Sequence, residues 1–354
     1  MHIPDGYLSP ATCAVAYAAA APFWYVGLKR MKRMQQSRVV PLLSVVSAFS
    51  FVVMMFNLPI PGGTTAHAVG MGVAAIVLGP WAALLAISIA LAIQALFFGD
   101  GGITAFGANS LNMAIVGGFA AYWLYRLISV GAQIGSPRRV VAAAVAGYAA
   151  INAAAFLAAC EFGVQPLLFT DASGAPLYAP YPLRIAIPSM MLAHLTIAGL
   201  AEGIVTAGVI AYLQRANPDL LKLTAGLSDT AAGGGWKGIR ALWAGLGVMM
   251  VASPLGLVAA GMAWGEWGVE DFKDAGIREQ IASASANVHP PVGVPQGLER
   301  LSSIWTAPMP DYAPAFMHDA NFGYIVSAVI GAGLIVLACT GLSWLFGLRQ
   351  RMPA

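Results

Sequence analysis

Runs of about twenty apolar residues, each long enough to cross the ~30 Å hydrocarbon core of a bilayer as a helix, recur along the whole chain. Nine are readable: 9–28, 39–58, 67–79, 80–98, 103–125, 140–160, 186–213, 240–262 and 322–347. The run at 67–79 is the weakest, because about 13 helical residues rise only about 20 Å. It reads as short, tilted or entered by an extended loop. Only 9% of the residues are charged and 59% are apolar, against roughly 25% charged in an ordinary soluble domain. The bilayer is therefore the solvent for most of the chain. The runs lack the two-residue alternation of barrel strands, and lipid excludes unpaired backbone. The fold class expected is an all-α integral membrane protein.

Basic residues orient the runs. Lys29, Arg30, Lys32, Arg33 and Arg38 follow the first, Arg126, Arg138 and Arg139 lie between the fifth and sixth, and Arg215, Lys222, Lys237 and Arg240 between the seventh and eighth. Arg349 and Arg351 close the chain. Placing those loops in the cytoplasm leaves only Arg184, Lys273, Arg278 and Arg300 outside, so 14 of the 18 basic residues obey the positive-inside rule. The C-terminus is then cytoplasmic. The N-terminus and the 59–66 loop share the outer side. No basic region precedes the first apolar run, so no cleaved signal peptide is expected. Residues 1–213 read as a seven-run unit and 214–239, with its Thr230–Gly235 stretch, as a flexible cytoplasmic linker. Residues 240–354 read as a two-helix module with a polar outer segment.

The opening Met1-His2-Ile3-Pro4-Asp5-Gly6 carries the most specific chemistry. A bulky His at position 2 disfavours removal of the initiator methionine, which leaves the α-amine on Met1. That amine, the amide nitrogen of His2 and its imidazole can chelate one ion through fused small rings, and a second imidazole would fill a tetragonal set. Such all-nitrogen coordination suits Ni(II) or Cu(II), with Co(II) as an alternative. Taken alone, His2 is a weak signal and reads first as a polar residue in a frayed terminus. His67 changes the weighting: it closes Pro59-Ile60-Pro61-Gly62-Gly63-Thr64-Thr65-Ala66, a loop shaped by two prolines and two glycines, on the side that holds Met1 and His2. As a boundary residue it can also simply snorkel to the interface.

The stretch 98–109 is glycine-rich and lies on the same side. In it Asp100 can orient a ligand imidazole from outside the coordination sphere, and Asn109 is a second such candidate. A tight interhelical turn is the alternative reading. Among intramembrane polar groups, Gln94, His194 and Glu202 are functional hypotheses by default. The spacing of His194 and Glu202 puts them roughly 80° apart and about 12 Å along a helix, so a shared ion is not expected. Coupling to a partner, or a helix-to-helix hydrogen bond, is the better reading for Glu202. His289 and His318 have no ligand spacing. Cys13, Cys160 and Cys339 lie in apolar runs far from any CxxC pattern and read as small buried hydrophobes. The net charge of +3 forms no patch for nucleic acid. There is no Walker A loop, no HExxH helix and no acid/base pair in a cleft, so an enzyme, and ATP binding by this chain, are not expected.

Several of these stretches resemble one family. MHIPDGYLSP at 1–10, NLPIPGGTTAHAVG at 57–70, LGPWAAL at 78–84, FFGDGGITAFGANSLNMA at 97–114 and HLTIAGLAEGIVTA at 194–207 are similar to the nickel and cobalt substrate-binding membrane subunits of energy-coupling-factor (ECF) transporters, the CbiM/NikM family. The resemblance implies a seven-helix bundle with the N-terminus inserted, and four nitrogen ligands carried over to Met1, His2 and His67. The tail, with PDYAPAF at 310–316, resembles the small two-helix NikN/CbiN partner fused in line, an arrangement that favours Ni(II) over Co(II). The implied partners are a membrane coupling subunit and cytoplasmic ATPase subunits, all on other chains. The implied location is the plasma (inner) membrane. A membrane metal sensor or assembly factor that does not move the ion is the competing reading, against which the lack of a soluble signalling domain counts.

Overall fold

The computed structural model describes residues 1–32, 36–60, 64–225, 236–259, 261–314 and 316–345. The first apolar runs form α1 (Pro10–Met31) and α2 (Gln36–Met54), followed by a short antiparallel hairpin of β1 (Leu58–Ile60) and β2 (Thr64–Ala66) in which Pro59 faces Thr65. Next come α3 (Met71–Leu78), α4 (Pro80–Ile93), α5 (Phe106–Asn109), α6 (Gly118–Ser129), α7 (Pro137–Leu168), α8 (Leu183–Ala193), α9 (Gly199–Ala216) and α10 (Asp219–Ala225). The second module supplies α11 (Trp236–Ala252), α12 (Ala275–Ala284), α13 (Gln296–Leu301) and α14 (Ala320–Leu345).

Seven helical segments among the described residues are long and apolar enough to cross a membrane: Pro10–Met31, Pro80–Phe98, Phe106–Ser129, Pro137–Leu168, Leu183–Ala216, Arg240–Val258 and Ala320–Leu345. The chain is a multi-pass membrane protein. The helix of the second run is apolar over Val40–Met54 and ends at Met54, short of the run's end at 58, where Leu58 already opens the hairpin. The 67–79 run spans nothing: α3 has eight residues, all buried. It is a plug enclosed by α2, α4, α6, α7 and α9. The all-α class holds: among the described residues sheet is confined to the hairpin, whose two strands pair with each other and so leave few backbone groups unsatisfied, and to one isolated bridge between Thr170 and Pro176.

Three stretches widen the helical ladder into π geometry: Gln94–Phe98 after α4, Ser110–Gly117 between α5 and α6, and His194–Ala198 between α8 and α9. Such π segments concentrate at functional sites, and each here carries or adjoins a polar residue singled out from the sequence. α9 continues to Ala216, past the expected unit end at 213, and α10 follows, so part of the expected linker is helical. Its glycine run at 233–235 lies outside the described residues.

The outer segment between α11 and α14 docks on the first module. Trp264 and Trp267 pack edge-on, joined by Phe162 of α7, by Tyr181 and by Phe272. Met309 N–H donates to Phe97 O at 3.0 Å, and Gly297 N–H to Leu177 O at 2.6 Å. The same segment closes over the N-terminus.

Candidate metal centre

Residues 1–9 enter the bundle as a strap without helical structure, and Met1, His2, Ile3, Tyr7 and Leu8 are each 4% exposed or less. A buried irregular backbone needs partners, and the glycine-rich turn after α4 supplies them. Ile3 N–H donates to Asn109 Oδ1 at 2.8 Å, while Ile3 O accepts from Asn109 Nδ2 at 3.1 Å and from Gly102 N–H at 2.8 Å. The Asp5 carboxylate accepts from Ile103 N–H at 3.1 Å, Thr104 N–H at 2.7 Å and the Thr104 hydroxyl. Gly6 turns the strap at φ +89°, where a side chain would meet Leu298 Cα at 2.6 Å. Ser9 caps α1, its Oγ accepting from Thr12 N–H at 3.1 Å ahead of Pro10, and its own N–H donates to Gln165 Oε1 at 3.0 Å. A Cβ on Gly102 would run into the Asp5 backbone nitrogen and carboxylate. Gly102→Ala is therefore expected to cost about 1–3 kcal/mol and to raise hydrogen exchange at residues 2–6, with α14 unaffected.

Three nitrogen-bearing groups meet where the strap ends. The Met1 amine donates to Glu266 Oε1 at 2.8 Å. His2 Nδ1 contacts Asp100 Oδ1, while His2 Nε2 is buried with no hydrogen-bond partner among the described residues. The His67 ring lies 5.0 Å from the His2 ring, centroid to centroid. His67 Nδ1 is 3.1 Å from Ala68 O, and a carbonyl only accepts, so Nδ1 carries the proton and Nε2 keeps its lone pair. Burial first, then the nearby His2 and terminal amine, hold the His67 pKa well below the usual imidazole value. The ring is neutral, the form in which imidazole binds a metal. Among the described residues no three His, Cys, Asp or Glu side chains gather as a metal-holding group. A cation bound here would have to draw on the main chain as well, and the buried amine and His2 amide are the main-chain nitrogens at hand.

Asp100 ties the centre to the second module. Its Oδ2 accepts from Gln94 Nε2 at 3.2 Å and from the Tyr312 hydroxyl at 2.5 Å. Burial pushes the carboxyl up, but the adjoining His2, His67 and Tyr312 outweigh it and the pKa falls below the carboxylate range.

Of the two readings offered for Glu202, the structure shows the bond from one helix to another, made to the backbone of α3. It is fully buried; Oε2 accepts from Val69 N–H and Gly70 N–H, both at 2.8 Å, and Oε1 from Gly72 N–H at 3.1 Å. It caps α3 and holds the segment just after His67, facing the core. His194 Nδ1 donates to Met190 O at 2.8 Å on the π segment against which the hairpin packs. Among the described residues the two share no hydrogen-bond partner. Of the other histidines, exposed His289 lies 3.8 Å from the Glu279 carboxylate, and His318 is also exposed. All three cysteines are free. Sequence reasoning missed Glu266 altogether, and assigned no contact to Tyr312 or Gln94; Tyr312 lies within the PDYAPAF stretch, the one signal that pointed to it.

Comparison with known proteins bears on the whole chain. Residues 2–220 match the family described as the cobalt uptake substrate-specific transmembrane region, CbiM, and residues 240–348 match the PDGLE domain. A fused nickel transport protein, NikMN, of Rhodobacter capsulatus is 61% identical over 97% of each chain. A probable fused nickel transport protein, LarMN, of Lactiplantibacillus plantarum is 42% identical over the same share. A transition metal transporter of known crystal structure is 50% identical with a TM-score of 0.58, covering 66% of this chain and 100% of its own. With matches of this extent, the chain belongs to the CbiM/NikM family of metal-uptake membrane components, with a PDGLE module of the NikN/CbiN kind fused behind its bundle.

Proposed function

We propose that this chain is the substrate-binding membrane component of an ATP-driven ECF transporter that takes up Ni(II). The ion is held at the extracytoplasmic face by the Met1 amine, the His2 amide and imidazole, and the His67 imidazole. The observation that carries the reading is the burial of a terminal amine beside two imidazoles, with His67 Nε2 left free to bind because Nδ1 faces the Ala68 carbonyl. Burying such nitrogens is costly unless they are partnered; two carboxylates, Glu266 and Asp100, answer the amine and His2 here, and the same anionic setting suits a cation. Four nitrogens in a tetragonal set fit Ni(II), as do the nickel relatives; Co(II), favoured by the family's description, is the alternative cargo. Asn109 stands outside this set: it serves the Ile3 backbone and so steadies the strap.

A fused-ring chelate at His2 uses Nδ1, the nitrogen that Asp100 contacts here. Loading then replaces two carboxylate contacts, Glu266 on the amine and Asp100 on the imidazole. The basic-residue pattern supports an outer N-terminus and a cytoplasmic C-terminus. The ATPase and coupling subunits would be separate chains, and the small-residue face of α1, of which Ala14, Val15, Ala18 and Ala19 are exposed, is available to the coupling subunit.

Metal analysis of the purified full chain tests the site. Wild type is expected to retain stoichiometric Ni(II), and His2→Ala and His67→Ala to lose it; undiminished binding by either variant would sink the four-nitrogen proposal. Uptake of radiolabelled Ni(II) should require co-expressed coupling and ATPase subunits. Equal uptake without them would remove the ECF assignment.

A further inference from the structure

The metal centre described above is built from the first module, yet two side chains of the second module reach into it. Glu266 meets the Met1 amine. Tyr312 meets Asp100, and the backbone that brings it there is strained. Asp311 and Tyr312 both lie at positive φ, 54° and 59°, in the left-handed region that side chains other than glycine rarely adopt. Such residues persist only where their surroundings pin them.

Tyr312 is pinned from every side. It is 7% exposed and its ring stacks on Phe98 at 4.9 Å and 21°. Its carbonyl accepts from Ser327 Oγ at 2.9 Å. Its hydroxyl donates to Asp100 Oδ2 at 2.5 Å and accepts from Gln94 Nε2 at 2.9 Å. A ring that merely filled space would need none of the last two bonds. A bond to an ionised carboxylate is about twice as strong as a neutral one, so the hydroxyl is the part of Tyr312 that matters most to Asp100.

We propose that Tyr312 is a positioning residue of the metal centre, supplied by the second module to hold the Asp100 carboxylate through Oδ2 and so set how firmly Oδ1 grips the His2 imidazole. The proposal rests on the nickel-site reading above. With Tyr312 and Gln94 on Oδ2, the carboxylate's charge is shared among three donors, and His2 can be handed from Asp100 to the ion. Without the hydroxyl, more of that charge falls on His2, the imidazole is held harder, and the ion captures it less readily.

A double-mutant cycle on the purified full chain tests this, with Ni(II) affinity measured by competition against a chromophoric chelator. Tyr312→Phe keeps the ring and its stacking. It is expected to weaken Ni(II) binding about tenfold in the wild-type background, the scale of an outer-shell loss. In an Asp100→Asn background, where the carboxylate is already gone, the same change should cost less than about twofold. Equal losses in both backgrounds would mark Tyr312 as a general packing residue and overturn the proposal, as would no loss in either. Should Tyr312→Phe fail to fold, Gln94→Leu removes the other donor to the same oxygen and is expected to show the same coupling. His2→Ala separates the two layers of argument. If it binds Ni(II) like wild type, the nickel-site reading fails. If it loses the ion while Tyr312 and Asp100 prove uncoupled, only the positioning role fails.

Discussion

One residue added ahead of Met1 is expected to abolish tight Ni(II) binding while leaving both imidazoles in place. The extension converts the terminal amine into an amide, which removes one of the four proposed nitrogens and shifts the chelate rings out of register. It also meets a wall. Met1 is 4% exposed and its amine lies 2.8 Å from the Glu266 carboxylate, so the added residue must displace the outer segment near Trp264 and Trp267. The expected loss exceeds the 10–100-fold typical of an outer-shell partner, and about a thousandfold is the working figure. Equilibrium binding of Ni(II) to the extended chain, with its N-terminus verified by intact mass, is the measurement. Retention of wild-type affinity would show that the amine is not a ligand.

Glu202→Ala is expected to be the most damaging single substitution outside the strap. Its carboxyl oxygens accept from three buried backbone N–H groups at the start of α3, and truncation strands all of them. At about 1–3 kcal/mol for each unsatisfied group, the loss is on the order of 3–9 kcal/mol. Because residues 69–72 follow His67 directly, the damage should include Ni(II) affinity. Thermal unfolding in detergent is expected to drop by about 10 °C or more. Glu202→Gln should recover only part of this, since its amide group turns N–H towards N–H. Wild-type stability in Glu202→Ala would mean that the cap is dispensable.

The long helices were legible from apolar run length alone, because a bilayer-crossing helix writes its length directly into composition. α3 was not. Its residues are apolar on every face, and so is a helix in lipid; only its eight-residue length separates a core plug from a span. The neighbourhood of Met1, His2 and His67 could be suspected from the parity of the loops, sharpened by the family resemblance. Asp100 and Asn109 stood out as polar residues in a glycine-rich turn, but which served an imidazole and which a backbone could not be read. Asn109 binds the main chain of Ile3, and main-chain partners leave no signature in side-chain identity. Glu202 was opaque for the same reason: a buried carboxylate announces itself, whereas the backbone N–H groups it caps do not. Glu266 and Tyr312 reach the centre across 265 and 212 residues of sequence, further than any local pattern can signal.

That separation has a consequence for how the protein is made. The Met1 amine pairs with a carboxylate that is polymerised 265 residues later. At about 5–20 residues per second of synthesis, the terminus waits tens of seconds before its partner exists. Closure of the strap thus waits on the second module, long after the strap's own residues have been joined.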